Sequence, residues 1–513
     1  MRKWLPLIAV CLGTFMLLVD VTIVTVALPQ MARSLDTTFA DLQWVMDVYA
    51  LVLAALLLAA GSLGDRAGHR KLYVAGLVVF AGASLACGLA TSPGVLIAFR
   101  AVQGIGGAAM LATTVALISH LYSGRDLGTA FGVWGAVSGA AAAAGPIMGG
   151  LLTQHLDWRW IFFVNLPISV LAVAMTLRYV GESRGVRRGG MDLAGLVTFT
   201  AAAGLATYAL IKGNDYGWGS SRTIGVFAGA GVALVAWIVV ELKGKAPMLD
   251  LSLFRRGTFT GVMIGALLLS GAAFSYFAYE SLWLQSVRGM GPVTAGLCFL
   301  PMSGAAFVTA GLGGRLLEDR LSPRVMIGGG LLLIAAGSAA QMAVGAGSSW
   351  AVLVPGLAIS GVGVGLATPT LASTAITAVG YQRAGMASGA VNTARQLGNA
   401  LGIAVLGVVF HAGLASSVRD AGVPRPAAVA DTLAAGQSRG VLAAGTPAQR
   451  PALDHMVHAA FASGLQSAFL AAAAMGAVGG LAVLALVRRP GGGHGAGPDA
   501  GRGAEPVVVP VEA

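Results

Sequence analysis

Charge is what this 513-residue chain has least of: Asp, Glu, Lys and Arg together make up 10% of it. A water-soluble domain carries about 25%, so something other than water covers much of the surface. Neither a soluble multi-domain enzyme nor a disordered chain fits that composition. Cysteine is scarce too. Cys11, Cys87 and Cys298 lie in apolar stretches, form no disulfide framework or metal-ligand spacing, and read as small buried hydrophobes. The histidines show no metal spacing, and His455 and His458 read as solvated loop residues. The phosphate-binding pattern GxxxxGKS/T is missing, so ATP hydrolysis is not supported. No cofactor and no metal is expected. Nor is a cleavable signal peptide, because the first apolar stretch runs past Asp20 to Pro29. The net charge of +11 is dispersed over short loops rather than gathered on one face, which argues against nucleic acid as a partner.

What is there is apolar, and it comes in blocks. Hydrophobic residues make up 56%, with a mean hydropathy of +0.80. No Asp, Glu, Lys or Arg interrupts residues 72–99, 127–156 or 325–382. About 20 apolar residues cross a bilayer as a helix, and the alternation of a membrane β-barrel is absent. The expected class is an all-α polytopic membrane protein. Fourteen spans are read, at about 5–28, 44–63, 72–91, 94–117, 128–152, 162–179, 191–211, 223–241, 258–285, 293–315, 325–344, 351–373, 386–410 and 462–487. An even number places both chain ends on one side. That side's loops hold 21 of the 32 Lys and Arg, the opposite loops hold nine, and two lie within spans. The positive-inside rule therefore predicts cytoplasmic termini in a cell membrane, with the lipid bilayer as surroundings.

An internal repeat organises the spans. Gly104-Ile105-Gly106-Gly107 in span 4 is echoed by Gly361-Val362-Gly363-Val364-Gly365 in span 12. The turn Gly61-Ser62-Leu63-Gly64-Asp65-Arg66 after span 2 is echoed more loosely by Gly314-Arg315-Leu316-Leu317-Glu318-Asp319-Arg320 after span 10. Spans 1–6 thus map onto spans 9–14, a transporter architecture with its site between the halves. The expected division is a six-helix half over 1–180, two extra central helices and linkers over 181–257, and a second six-helix half over 258–487. That second half includes an external loop, 411–461, carrying short helices. A disordered cytoplasmic tail is expected over 488–513.

These residues resemble the major facilitator superfamily, and within it the fourteen-helix drug:proton antiporter branch, often called the EmrB/QacA type. The likeness covers about residues 5–487 and rests on several motifs in order. The turn from Gly61 to Lys71 resembles the superfamily's loop motif, and Leu18 to Pro29 the branch's first-helix motif, with Val19 and Thr25 where Leu and Asn are usual. Arg100-Ala101-Val102-Gln103-Gly104 is similar to the helix 4 motif, and Gly139 with Gly145-Pro146-Ile147-Met148-Gly149-Gly150 to the antiporter motif of helix 5. Asp157 to Pro167 and Ala387 to Gly398 match further branch signatures. The resemblance implies a monomeric antiporter, not an enzyme, that exchanges protons for a small-molecule drug or metabolite.

Ionisable groups deep in a span are costly and mark function by default. Asp20, Asp47 and Glu280 are the acids that qualify, and Arg100 and Arg395 the bases. At ~1.5 Å per residue Asp20 lies ~12 Å deep, Arg100 ~9 Å and Asp47 ~5 Å. Asp20 and Arg100 are therefore expected to meet, either as a structural pair or as a proton-responsive switch. The proton affinity of a buried acid depends on its neighbours, so moving Arg100 away on rocking would change it. Asp20, Arg100 and Asp47 are the candidate proton-coupling residues. Asp20, Asp47, Gln103, Tyr276, Glu280, Asn392 and Arg395 are the candidate substrate contacts. Glu280 and Tyr276 sit in an aromatic stretch that suits a lipophilic cation or else forms part of the interfacial belt. Arg395 either holds carbonyls and helix ends or receives an anionic group.

Gating is assigned to Asp65, Arg66, Arg70, Gly145, Pro146 and Gly149. The resemblance implies that Asp65 latches the cytoplasmic gate through basic groups and a helix N-terminus. A proline kink at Gly145-Pro146 beside small residues is expected to seal the halves. The expected activity is proton-coupled export of small lipophilic compounds, cations included, by alternating access. Export of a single host-made metabolite and a transport-inactive sensor are the alternatives.

Overall fold

The computed structural model describes residues 2–37, 39–183, 192–217, 219–244, 247, 249–316, 321–380, 383–434, 436–443 and 446–487. Among these the chain is helical, with no strand. The helices are α1 (Leu5–Ser34), α2 (Phe39–Ala67), α3 (His69–Gly88), α4 (Pro93–Leu121), α5 (Arg125–His155), α6 (Trp160–Phe163), α7 (Asn165–Tyr179), α8 (Leu193–Tyr216), α9 (Ser221–Lys243), α10 (Gly257–Phe274), α11 (Phe277–Ser286), α12 (Pro292–Leu297), α13 (Leu300–Leu316), α14 (Pro323–Gln341), α15 (Val354–Val379), α16 (Ala384–Asp420), α17 (Pro426–Ala434), α18 (Ser438–Ala443) and α19 (Arg450–Leu486). The expected tail and most of the second-half turn fall outside the described residues.

Local chemistry sets the helix ends. Ser92 accepts the Val95 N–H at 3.4 Å just before Pro93 opens α4, and Asp192 accepts the Gly195 N–H at 2.7 Å to start α8. These side chains satisfy amides that no helical carbonyl can reach. Between α2 and α3 the chain reverses at Gly68, whose φ of +107° suits glycine. By length and composition, 13 described segments can cross a membrane. The fourteenth expected span is α5, 31 residues rich in Gly and Ala, which runs between α1 and α13. The protein is an all-α, multi-pass membrane protein.

Three expected spans are broken. Span 6 is α6 with α7, span 9 is α10 with α11, and span 10 is α12 with α13. Spans 13 and 14 are longer than expected. Their helices, α16 and α19, have 37 residues each, or ~56 Å of helix against a ~30 Å hydrocarbon core. Much of the 411–461 region is thus their continuation, with α17 and α18 between them.

The repeat is visible in how the helices cross. A Cβ on Gly106 would stand 2.7 Å from the Gly76 carbonyl, bringing α3 against α4. A Cβ on Gly330 would stand 2.6 Å from the Gly363 carbonyl, bringing α14 against α15 in the same way. Small residues let membrane helices approach backbone to backbone. α1 leans on α5 and α7 as α10 leans on α16 and α19. We call α1–α7 the N set and α10–α16 with α19 the C set. They meet along two seams, α5 on α13 and α2 on α16. α8 and α9 lean on each other beside α2, and α9 exposes Ile224, Val232, Val235 and Leu242.

Candidate functional site

A closed polar network lies inside the N set. Arg100 Nη1 donates to Asp20 Oδ2 at 2.5 Å and to Gln103 Oε1 at 2.7 Å, and its Nε donates to the Val45 carbonyl at 2.9 Å. The other Asp20 oxygen accepts from Gln103 Nε2 at 2.9 Å and Asn165 Nδ2 at 3.1 Å. Ser84 Oγ accepts from Gln103 at 2.8 Å. The guanidinium also lies 4.3 Å from the Tyr49 ring centre. Asp20 and Arg100 are 0% and 1% exposed. The expected meeting of the two therefore occurs, and every member of the network has a partner, the condition under which buried charge is tolerated. Asp20 and Gln103 were also expected to touch substrate. In this conformation they present no atom to the space between the sets, because the network consumes them.

The second site closes one end of the bundle. Asp65, at the end of α2, is fully buried, and its two oxygens accept the N–H groups of Gly385 and Met386, each at 2.9 Å. Those amides are the first turn of α16, in the other set. The contact joins a carboxylate to the positive end of a helix through charge-assisted bonds. His69 Nε2 lies 3.3 Å from the same carboxylate. Around it the backbones touch: a Cβ on Gly389 would meet the Leu57 carbonyl at 2.8 Å, and one on Gly61 would collide with the Gly385 carbonyl.

Arg66 lines an apolar groove with Leu56, Leu63, Ile105 and Leu196. Arg70 donates to the Leu177 carbonyl at 2.7 Å, and its N–H to Glu182 at 3.1 Å. The latch is made by backbone amides, which outnumber side-chain cations at a helix start.

The expected role of Gly145 is corrected by its direction. A Cβ there would collide with Thr22 of α1, within the N set. The α5–α13 seam is instead built by Gly132 against Ala310, Gly139 against Ser303 and Gly150 against Val293 of α12. Gly149 is buried, and the Pro146 side chain lies outside the described ones.

Between the sets lies a narrow, nearly filled cleft with a cavity volume of ≈ 10 Å³, lined by Trp134, Thr368, Leu371, Ser388, Asn392 and Arg395 among others. Asn392 Nδ2 donates to the Ser388 carbonyl at 3.0 Å. Arg395 has no acidic partner among the described residues, and its Nε is buried without a hydrogen bond. Glu280 therefore does not balance it. Glu280 is not part of an interfacial belt either: it is 0% exposed, and neither oxygen has a hydrogen-bond partner. One turn away Tyr276 is also fully buried, with Gln341 Nε2 donating to its hydroxyl at 3.5 Å. Asp47 is half-buried on α2, one turn from Trp44, whose ring lies 4.8 Å from the Lys212 ammonium of α8. The substrate residues expected together thus fall into four separate places.

Sequence reasoning missed Ser84, Asn165, Trp134, Gln341 and Gly385 as participants. Asn165 lies inside the quoted stretch Asp157 to Pro167, which was a usable signal. Ser84 and Gln341 are ordinary polar residues in apolar helices and carried none.

The comparisons with known proteins agree with one another. The family model described as "Major Facilitator Superfamily" matches residues 10–403. The chain is 38% identical over 428 residues to multidrug resistance protein Stp of Mycobacterium tuberculosis, covering 82% of this chain and 79% of that protein. It is 35% identical to the tetracenomycin C resistance and export protein of Streptomyces glaucescens, covering 95% and 92%. It is 33% identical to the methylenomycin A resistance protein of Streptomyces coelicolor, covering 79% and 85%. Among solved structures, the human organic anion transporter MFSD10 superposes with a TM-score of 0.60 at 14% identity, covering 94% of this chain and 99% of that one. A bacterial homolog of the human lysosomal transporter Spinster superposes with a TM-score of 0.54 at 17% identity, covering 95% and 97%. At such identities these structures establish the fold.

Proposed function

Because the chain belongs to the Major Facilitator Superfamily, we propose that it exports small lipophilic drugs or antibiotics from the cytoplasm by proton-coupled alternating access. Its relatives are drug and antibiotic resistance transporters, so transport, rather than an enzymatic reaction, is the premise. The observation that carries the coupling is the Asp20–Arg100 pair, sealed among α1, α3, α4 and α7. Asp20 has two ways to be neutralised, by Arg100 or by a proton. A rocking motion that draws Arg100 off Asp20 leaves a bare carboxylate in low dielectric, which takes up a proton in its place. The return motion re-forms the pair and releases the proton on the other side.

The two-state element is the bundle itself. In the conformation described the Asp65 end is closed by α16 on α2. That state alternates with one in which Asp65 lets go and the end opens to the cytoplasm. Both chain ends are placed at the cytoplasmic face, in line with the arginine and lysine asymmetry. The protein acts as a monomer in the bilayer, with α8 and α9 as a pair between the two halves in sequence and outside them in space.

A second reading, export of one host-made compound, is favoured by relatives named for single compounds, tetracenomycin C and methylenomycin A. Proteoliposomes with an imposed proton gradient test the main reading. Wild type should move drug against the gradient's dissipation and release protons when drug binds to the purified protein. Transport that ignores the gradient would reject proton coupling.

A further inference from the structure

We propose that the central cleft binds an acidic amphiphile, a flat apolar body bearing one carboxylate or phenolate that pairs with Arg395; this rests on the export reading above. Two arginines lie inside the bundle, Arg100 fully buried and Arg395 partly, with its Nε buried. Arg100 gives its hydrogen atoms to Asp20, Gln103 and the Val45 carbonyl. Arg395 gives its own to nothing among the described residues. It stands 11 residues into α16, or ~17 Å along the helix, where a bare guanidinium is expensive. A protein keeps such a group where a ligand completes it.

In this conformation the cleft has room for about one water, so the ligand enters as the sets rock apart, and the wall it then meets already carries the groups to hold it. No carboxylate lines the cleft among the described residues: Asp20 is consumed by its network, and Glu280 lies outside the cleft wall. A cationic ligand would thus meet only repulsion there. The Ser388 and Thr368 hydroxyls are buried without partners, and both belong to the wall, so each has a hydrogen to give an oxyanion. Across from them Trp134 is fixed in place by its Nε1–H bond to Thr14 Oγ1 at 3.2 Å. With Val115 and Leu371 it forms an apolar wall suited to a planar body. Trp134 and Val115 come from the N set and Arg395 and Thr368 from the C set. A ligand bridging them is held in some rocking states and freed in others, which is what an exporter needs.

The test uses full-length protein in detergent micelles and three probes of one shape: anthracene carboxylate, its carboxamide and its aminomethyl analogue. Binding is measured at neutral pH by equilibrium dialysis against protein-free micelles. Wild type should bind the carboxylate about tenfold or more tighter than the amide, with the ammonium weakest. Arg395→Gln should erase the preference for the carboxylate, and Arg395→Lys should keep part of it. Should Arg395→Gln fail to fold, the wild-type order and the Arg395→Lys ratio decide. Equal or tighter binding of the amide or ammonium by wild type, no binding of the carboxylate, or a preference that survives in Arg395→Gln would overturn the assignment. Extrusion of the carboxylate by cells carrying wild type is scored separately. Its absence beside intact carboxylate binding would overturn the export reading and leave the site standing.

Discussion

The two sets repeat one backbone plan yet fill it with opposite electrostatics. In the N set α3 crosses α4 at Gly76 and Gly106, and beside that crossing Ser84, Gln103 and Arg100 close around Asp20. In the C set α14 crosses α15 at Gly330 and Gly363, and beside it stand Ser338, Ser360, Gln341 and Tyr276, with no cation. The hydroxyls of Ser338 and Ser360 and both oxygens of Glu280 are buried without hydrogen bonds. One half thus holds an acid and a base that satisfy each other. The other holds an acid inside its core with no base to answer it, and an arginine at its inner face with no acid to answer it. Duplication preserved the glycines, because any larger residue would push the helices apart. The charges are not repeated, because the helix crossing itself does not require them.

The largest effects should come from breaking the half that is satisfied. Arg100→Leu leaves Asp20 buried without its counter-charge, with only the Gln103 and Asn165 amides on it, which costs about 3–5 kcal/mol. We expect a large fall in the melting temperature of the purified protein, with Asp20→Asn in the same chain recovering part of it. Asp20→Asn by itself should abolish export driven by a proton gradient and suppress drug-induced proton release. Unchanged release would move coupling out of the N set.

Next comes the latch between the halves. Asp65→Asn gives up charge on two amide bonds, worth about 1.5–3 kcal/mol where a charged group is involved. The closed fraction at that end should fall about tenfold or more, read as faster thiol labelling of a cysteine placed at Ser388, buried on α16 one turn from the contact, while the drug affinity of Asp65→Asn itself changes little. Labelling at the wild-type rate would remove Asp65 from the gate.

Glu280→Gln sharpens the comparison from the unsatisfied side. With no counter-charge to lose, the substitution should cost far less stability than the about 3–5 kcal/mol expected from breaking a buried pair. A loss of several kcal/mol would mean that the C set hides a cation after all.

The smallest effect lies at the surface. Asp250, in the linker before α10, accepts from Ser252 and from Arg383 at 3.0 Å. The Ser252 hydroxyl, with Arg383 helping, holds its carboxyl below the ordinary aspartate range. A depressed acid contributes stability at neutral pH, and that contribution fades as pH falls through its folded value. Because the pair is about a third exposed or more, Arg383→Gln should cost only about 0.5 kcal/mol at neutral pH. That cost should shrink as pH is lowered past the ordinary aspartate range, as followed by thermal melts.

What the sequence determined by itself follows from quantities that add along the chain. Hydropathy sums over 20-residue windows, so the membrane class and the spans were legible, α5 included. A helix rises by a constant step, so the equal depth of Asp20 and Arg100 was legible too, and their 2.5 Å contact followed. The repeated glycines announced the internal repeat. Tertiary structure decided whatever depends on direction. Which way Gly145 faces depends on how α5 is turned about its axis, and it faces α1 rather than α13. Asp65 finds its partners 320 residues away in the amides of Gly385 and Met386. Backbone N–H groups are the same at every residue, so no sequence pattern could single those two out. Arg395 looked like a residue that would find carbonyls or an acid. Only the packing of α16 on α4 and α15 put it on the wall of a cleft with neither, because a side chain's partners are set by helices that touch rather than by neighbours in the chain.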